Sequence, residues 1–226
     1  MINRIAFLLG LAIFKIGNTY TQENYYSFTT DSFREQVVFL ESIDLKNPDL
    51  SRLNAVIFYL TNEVRKKKRL TQLTYHQKLE EAAKLHSENM VKHNFFSHIN
   101  THSRKLRDPN SRADFVGIEN PYLAENIIET FLLEYTAGDN VYPGNIGEFR
   151  HHPNDDPIKA RTYLRAGEVM IKAWMNSHEH RKNIISKDAV QLGCGSAFYV
   201  KNDFNGMPTV IATQNFQLYE SLRLVK

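Results

Sequence analysis

Beyond residue 49 the apolar positions fall into a helical rhythm. Leu53, Ile57, Leu60 and Val64 recur three or four residues apart, which puts them on one helix face, with Ser51 as its expected N-cap. A second helix is predicted over residues 76–92, with Leu79, Ala83, His86 and Met90 as its inward stripe. A third is predicted over 164–176, where Val169, Lys172 and Met175 share one side and Ile171 and Trp174 another. Residues 189–200 and 209–218 read as strands. The intervening Asn202-Asp203-Phe204-Asn205-Gly206 is hairpin punctuation. Between these elements the pattern weakens. Residues 94–122 read as loop because Asp108-Pro109-Asn110 and Gly117 interrupt any period, and 124–135 follow no single period. Residues 136–163 form a long polar connection rich in glycine and proline, of a length that is usually functional or mobile. Helices followed by a terminal hairpin predict an α+β domain, with helices packed on a small antiparallel sheet.

The first residues change the picture. Arg4 precedes an apolar run from Ile5 to Phe14, and polar Asn18, Thr19, Thr21 and Gln22 follow. That order of charge, apolar core and polar tail predicts a secretory signal peptide over residues 1–21, with a core helix or retained anchor as the competing reading. Residues 22–48 would then be an N-terminal arm packing partly on the domain through Val37-Val38-Phe39-Leu40, and 49–220 the domain itself. No later stretch approaches about 18 continuous apolar residues, so no membrane span is expected in the mature chain, which would be extracellular or periplasmic. Cys194 is the single cysteine of the 226 residues, which rules out an intramolecular disulfide and suits a small buried hydrophobe better than a nucleophile. The net charge of +3 gives no reason to expect a nucleic-acid partner. The one dense basic run, Lys66 to Arg69, reads as the solvated end of a helix, with a binding patch as the alternative.

Candidate chemistry rests on histidines and carboxylates flanked by apolar anchors. Phe95 and Phe96 precede His98, Ile127 and Ile128 follow Glu125, and Trp174 and Ile184 bracket His180. Two imidazoles and a carboxylate could hold Zn²⁺ with an open position, or act as general acid and base without metal. Spacing alone does not bring such distant residues together. Among the other candidates, His86 is expected to be buried and satisfied by one hydrogen bond. Arg181 is expected in an ion pair ordering its turn, with anion binding as the alternative. His151, His152, Asp155 and Asp156 are expected in a solvated loop, with a second metal site as the alternative. No G-x-S-x-G elbow is present, so covalent catalysis is not expected.

Seven segments in order carry a resemblance. Asn62-Glu63-Val64-Arg65 and Leu79 to Met90 look like two signature helices. Phe96-Ser97-His98 and Ala124-Glu125-Asn126-Ile127 are similar to a histidine motif and a G-E-N-I motif. Trp174 to Arg181 is similar to W-M-N-S-P-G-H-R, and Gly193, Gly195 and Gln214-Asn215-Phe216 match two strand motifs. Together they resemble the bacterial branch of the CAP superfamily: the cysteine-rich secretory, antigen 5 and pathogenesis-related class, or SCP-like domains. The resemblance implies an α-β-α sandwich with a small antiparallel sheet between helical layers. It also implies a cleft of two histidines and two acidic residues that in some members holds a divalent metal. His98, Glu125 and His180 fill three places, with His98 and His180 as the metal ligands. The fourth falls on Ser177, where Glu179 is the substitute at hand, and Gln214 is a further cleft candidate. The function implied is a secreted module binding a divalent cation such as Zn²⁺, or a small molecule, lipid or extracellular protein. A metal- or His/Glu-dependent extracellular hydrolase is the alternative, with His98, Glu125 and His180 as its catalytic candidates. The 136–163 segment is expected as an insertion over the cleft rim.

Overall fold

The computed structural model describes residues 25–119 and 121–219, so the leader expected at 1–21 lies outside the described residues. The domain is built around one four-stranded sheet. A long hairpin, β5 (Ala189–Lys201) and β6 (Met207–Leu218), forms its centre. Strand β2 (Leu123–Phe131) lies antiparallel beside β6, and the two-residue β1 (Thr74–Tyr75) lies parallel beside β5. The strand order is thus β1-β5-β6-β2, and the sheet departs from the expected purely antiparallel one only at β1. The segment at 124–135 that showed no period is mostly β2, an edge strand.

Helix α2 (Leu50–Lys67) begins earlier than its sequence suggests. Asp49, not Ser51, is the N-cap, its carboxylate accepting the Arg52 amide at 3.1 Å. The apolar stripe predicts burial of one face, yet every residue from Leu53 to Asn62 is buried. The cause is the segment at 25–48, which covers the outer face. Phe33 stacks on Tyr59 with ring centroids 5.2 Å apart, and Phe39 in α1 (Val37–Leu40) is wholly buried beside them. The Tyr59 hydroxyl accepts the Phe28 amide and donates to the Phe28 carbonyl, both at 3.0 Å. The arm is therefore part of the core. Helix α5 (Tyr163–Asn176) completes this layer and turns inward the side carrying Met170, Ile171 and Trp174.

Helix α3 (Gln77–Lys92) covers the opposite face, as its stripe predicts. Gly193 and Gly195 on β5 let it lie against the strand. A Cβ at Gly193 would collide with the Glu80 nitrogen and the Leu79 carbonyl carbon, and one at Gly195 with the Lys84 nitrogen. The result is the expected α-β-α sandwich. Cys194, between these glycines, is wholly buried on the α2 side, and burial pushes its thiol far above the ordinary range.

Two short helices complete the frame. Helix α4 (Pro109–Phe115) interrupts the stretch expected as loop, and α6 (His178–Ile184) follows α5 directly. Asp108 caps α4 by accepting the Ser111 amide at 2.9 Å, and Pro109 sits in the first turn where no amide is needed. The 136–163 insertion carries a small ribbon, β3 (Tyr142–Pro143) and β4 (Phe149–Arg150). Phe149 packs with Leu133, Tyr135 and Met207, and the Gly147 amide donates to the Asn205 carbonyl at 2.8 Å, in the β5–β6 turn. This corrects the expected placement over the cleft rim. The insertion follows the C-terminal end of β2, six residues or about 20 Å along the strand from Glu125. His151, His152, Asp155 and Asp156 lie exposed on it, as a solvated loop.

Candidate functional site

Strand β2 divides its side chains between the two layers. Asn126 faces the α2 layer, where its amide donates to Gln214 at 3.1 Å, and Gln214 in turn donates to the Thr61 hydroxyl at 2.7 Å. Glu125 faces α3 and α4. Its carboxylate is 2 % exposed, and one oxygen lies 2.8 Å from His98 Nδ1 while the other accepts from Arg112 Nη2 at 2.7 Å. When the Asn215 amide is oriented so that its oxygen accepts the Ala83 amide (3.1 Å), its nitrogen donates to the second oxygen at 3.1 Å. Three donors thus converge on a dry carboxylate. Burial alone would push Glu125 up, but the His98 hydrogen bond and the Arg112 charge outweigh it and hold the carboxyl below its usual range.

A carboxylate only accepts, so His98 Nδ1 carries the proton and Nε2 is left as an acceptor. The His98 side chain is 46 % exposed, so this second nitrogen belongs to the accessible end of the ring. The loop carrying His98 is braced from below. Phe95 packs on Met90, Ile127 and Ile211, buried Asn100 donates its amide to the Arg107 carbonyl at 2.7 Å, and Arg112 Nη2 donates to the His98 carbonyl at 3.2 Å. Phe96, expected to share the anchoring, is 49 % exposed instead. Arg112 is wholly buried and holds both the histidine's backbone and its acidic partner, yet it was not among the sequence candidates.

His180 reaches the site from the other side of β2, on α6. Asn126 donates to the His180 carbonyl (3.1 Å), and Asn183 donates to Asn126 Oδ1 (2.9 Å) and the Glu125 carbonyl (3.3 Å). These bonds seat α6 on Glu125 and Asn126 of β2. The His180 ring is half-buried and its pKa is lowered, first by burial and then by repulsion from His98 whenever that ring is also protonated. The two imidazoles are therefore electrostatic neighbours.

The remaining candidates fall elsewhere. Glu179 and His178 are exposed and pair with each other at 2.8 Å, so Glu179 does not supply the fourth cleft residue, the second carboxylate. Ser177 is half-buried at the α5–α6 junction and makes no side-chain cap. Gln214 is wholly buried in the polar network behind β2 and does not line the cleft. Arg181 makes no ion pair among the described residues, and donates instead to the Met175 carbonyl at 3.0 Å, near the end of α5. His86, expected to be satisfied, is wholly buried with neither ring nitrogen in a well-formed hydrogen bond. Its Nε2 stands 3.7 Å from Glu125, and burial lowers its pKa to about 4, which keeps it neutral near pH 7. Among the described residues no group of three or more His, Cys, Asp or Glu is placed to hold a metal ion. Glu125 stands behind His98 as its orienting partner.

Comparison with known proteins identifies the family. The sequence profile of the CAP family, "Cysteine-rich secretory protein family", matches residues 58–216. The chain belongs to that family. Among curated relatives, protein YkwD of Bacillus subtilis (strain 168) is 27% identical over 137 residues, covering 60% of this chain and 39% of its own. Membrane protein YlbC of the same organism is 28% identical over 148 residues, covering 65% of this chain and 32% of its own. The chain therefore spans well under half the length of either relative. An extracellular protein containing an SCP domain from Bacillus anthracis str. Ames superposes with a TM-score of 0.48 at 23% identity, covering 74% of this chain and 40% of that one. No helix among the described residues is long and apolar enough to cross a membrane.

Proposed function

We propose that the protein is a secreted CAP-domain binding module whose recognition site is the cleft between His98 and His180. The leader pattern at residues 1–21 supports secretion. The observation that carries the binding reading is the state of Glu125. It is buried, held by His98, Arg112 and Asn215, and kept more acidic than usual. A carboxylate so occupied is a weak base and a firm support. It fixes the His98 tautomer and orientation and leaves Nε2 to meet a ligand. Hydrolysis with Glu125 as proton acceptor is correspondingly disfavoured.

A divalent cation such as Zn²⁺ would bind through His98 and His180 and offer open positions to an oxygen of a small molecule, lipid or extracellular protein. With two protein ligands, affinity between about micromolar and millimolar is expected. Titration calorimetry with Zn²⁺ should show heat for the wild type that is lost in both His98→Ala and His180→Ala. Identical heats in all three proteins would refute the metal assignment.

A further inference from the structure

The basic run at the end of α2 does not stand alone. Buried Arg65 has no carboxylate partner. Its guanidinium donates to the Thr71 carbonyl at 2.8 Å, to Ile184 and Ser186 at 2.9 and 2.8 Å, and to Ala189 at 3.3 Å. It thereby clamps the turn after α2 against the turn between α6 and β5. Two basic segments far apart in sequence become neighbours on one surface. One shallow depression is lined by Lys67, Lys68, Arg69, Leu70, Ile185 and Lys187. The next, sharing Ile185, is lined by His178, Arg181, Lys182, Ile185 and Ser186.

The charge of this surface is largely unanswered. Lys66 pairs with Asp31 and Lys67 with Glu63, and exposed Glu179 lies near enough to feel the Lys182 charge, but exposed Lys68, Arg69, Lys182 and Lys187 form no ion pair among the described residues. The Arg65 charge beneath them is balanced only by carbonyl dipoles. A chain with a net charge of +3 therefore concentrates free cations on one face. The depressions are open and continuous, which suits an extended polyanion better than a single enclosed phosphate. They contain no Phe, Tyr or Trp on which bases could stack, which disfavours single-stranded nucleic acid.

We infer that this face binds a flexible phosphodiester polymer without bases, independently of the His98–His180 cleft. The test is titration calorimetry of the full chain with synthetic poly(glycerol phosphate) at low and moderate salt. Wild type should bind, with affinity falling as salt rises. A Lys68→Glu/Arg69→Glu/Lys182→Glu/Lys187→Glu variant should bind about tenfold more weakly or worse, with its thermal transition retained. A control reversing four exposed lysines elsewhere, Lys46, Lys105, Lys159 and Lys172, should keep most of the affinity, which separates the patch from net charge. Equal loss in both variants, or no loss in the first, would overturn the inference. So would tighter binding of single-stranded DNA, or binding confined to vesicles of phosphatidylglycerol in phosphatidylcholine.

Discussion

Glu125 and Arg112 show how much a single buried charge pair decides. Each is nearly dry, and Glu125 is the one carboxylate that Arg112 meets among the described residues. Replacing Arg112 with Leu leaves the carboxylate buried without its cation, at an expected cost of about 3–5 kcal/mol in urea unfolding. The double change Arg112→Leu/Glu125→Leu should recover a large part of that loss, because both charges then leave the interior together. His86 makes a different contribution. Its pKa is lowered from 6.5 to about 4 by burial, so the folded state resists the proton that the unfolded chain accepts. Stability from this source is complete above pH 6.5 and falls away as the pH drops towards 4, by an amount on the order of 3 kcal/mol. Glu125, also depressed, adds a loss in the same direction below its ordinary value of 4.5. Unfolding free energies measured from pH 7 to 4 should therefore fall steeply in wild type and more gently in His86→Leu. Parallel slopes would mean that His86 is not held neutral.

At the scale of elements, α4 holds the residue that the sequence reading lacked. Asp108-Pro109 reads as a loop signal in the sequence, yet the same dipeptide is a start signal: a capping carboxylate followed by a residue suited to the first turn. Only seven residues follow, too few for a visible period, so Arg112 was hidden with its helix. Asp108→Ala should cost about 1 kcal/mol in denaturant unfolding and speed amide exchange within α4. The long elements were legible because their periods persist: α3 and the β5–β6 hairpin lie within a few residues of their expected bounds. The His98–Glu125 contact was legible only through the motif resemblance, since spacing carries no information about residues on separate elements. Glu179 was misplaced for a local reason. It follows His180's helix outward and finds His178 next to it, a preference that a linear motif does not encode. His86 is buried as its helical stripe predicts, but its missing hydrogen bond and the part Asn215 plays depend on what packs above them, which periodicity does not encode.

The whole molecule depends on pieces that the family match leaves out or barely reaches. Residues 25–48 precede the matched region at 58–216, yet they supply Phe33, Val38, Phe39 and Ile43 to the main core. A chain beginning at residue 49 would bare the Tyr59 and Phe58 rings, and Phe39 alone is a side chain whose truncation to Ala typically costs about 3–5 kcal/mol. The insertion, by contrast, forms its own apolar cluster at the far end of the sheet. Its position separates it from the imidazole cleft, and its effects belong to the hairpin end of the sheet.

Cys194 gives this arrangement a built-in gauge. It is the one thiol in 226 residues and sits at the centre of the sheet, so a maleimide or aromatic disulfide reagent can reach it only when the whole domain opens. Labelling of native protein should be slow and single-step, and should accelerate in Arg112→Leu by about tenfold for each 1.4 kcal/mol of lost stability. With a single cysteine sealed in the sheet, the folded domain has no disulfide of its own to form or break, so its fold does not depend on the thiol redox state of its surroundings.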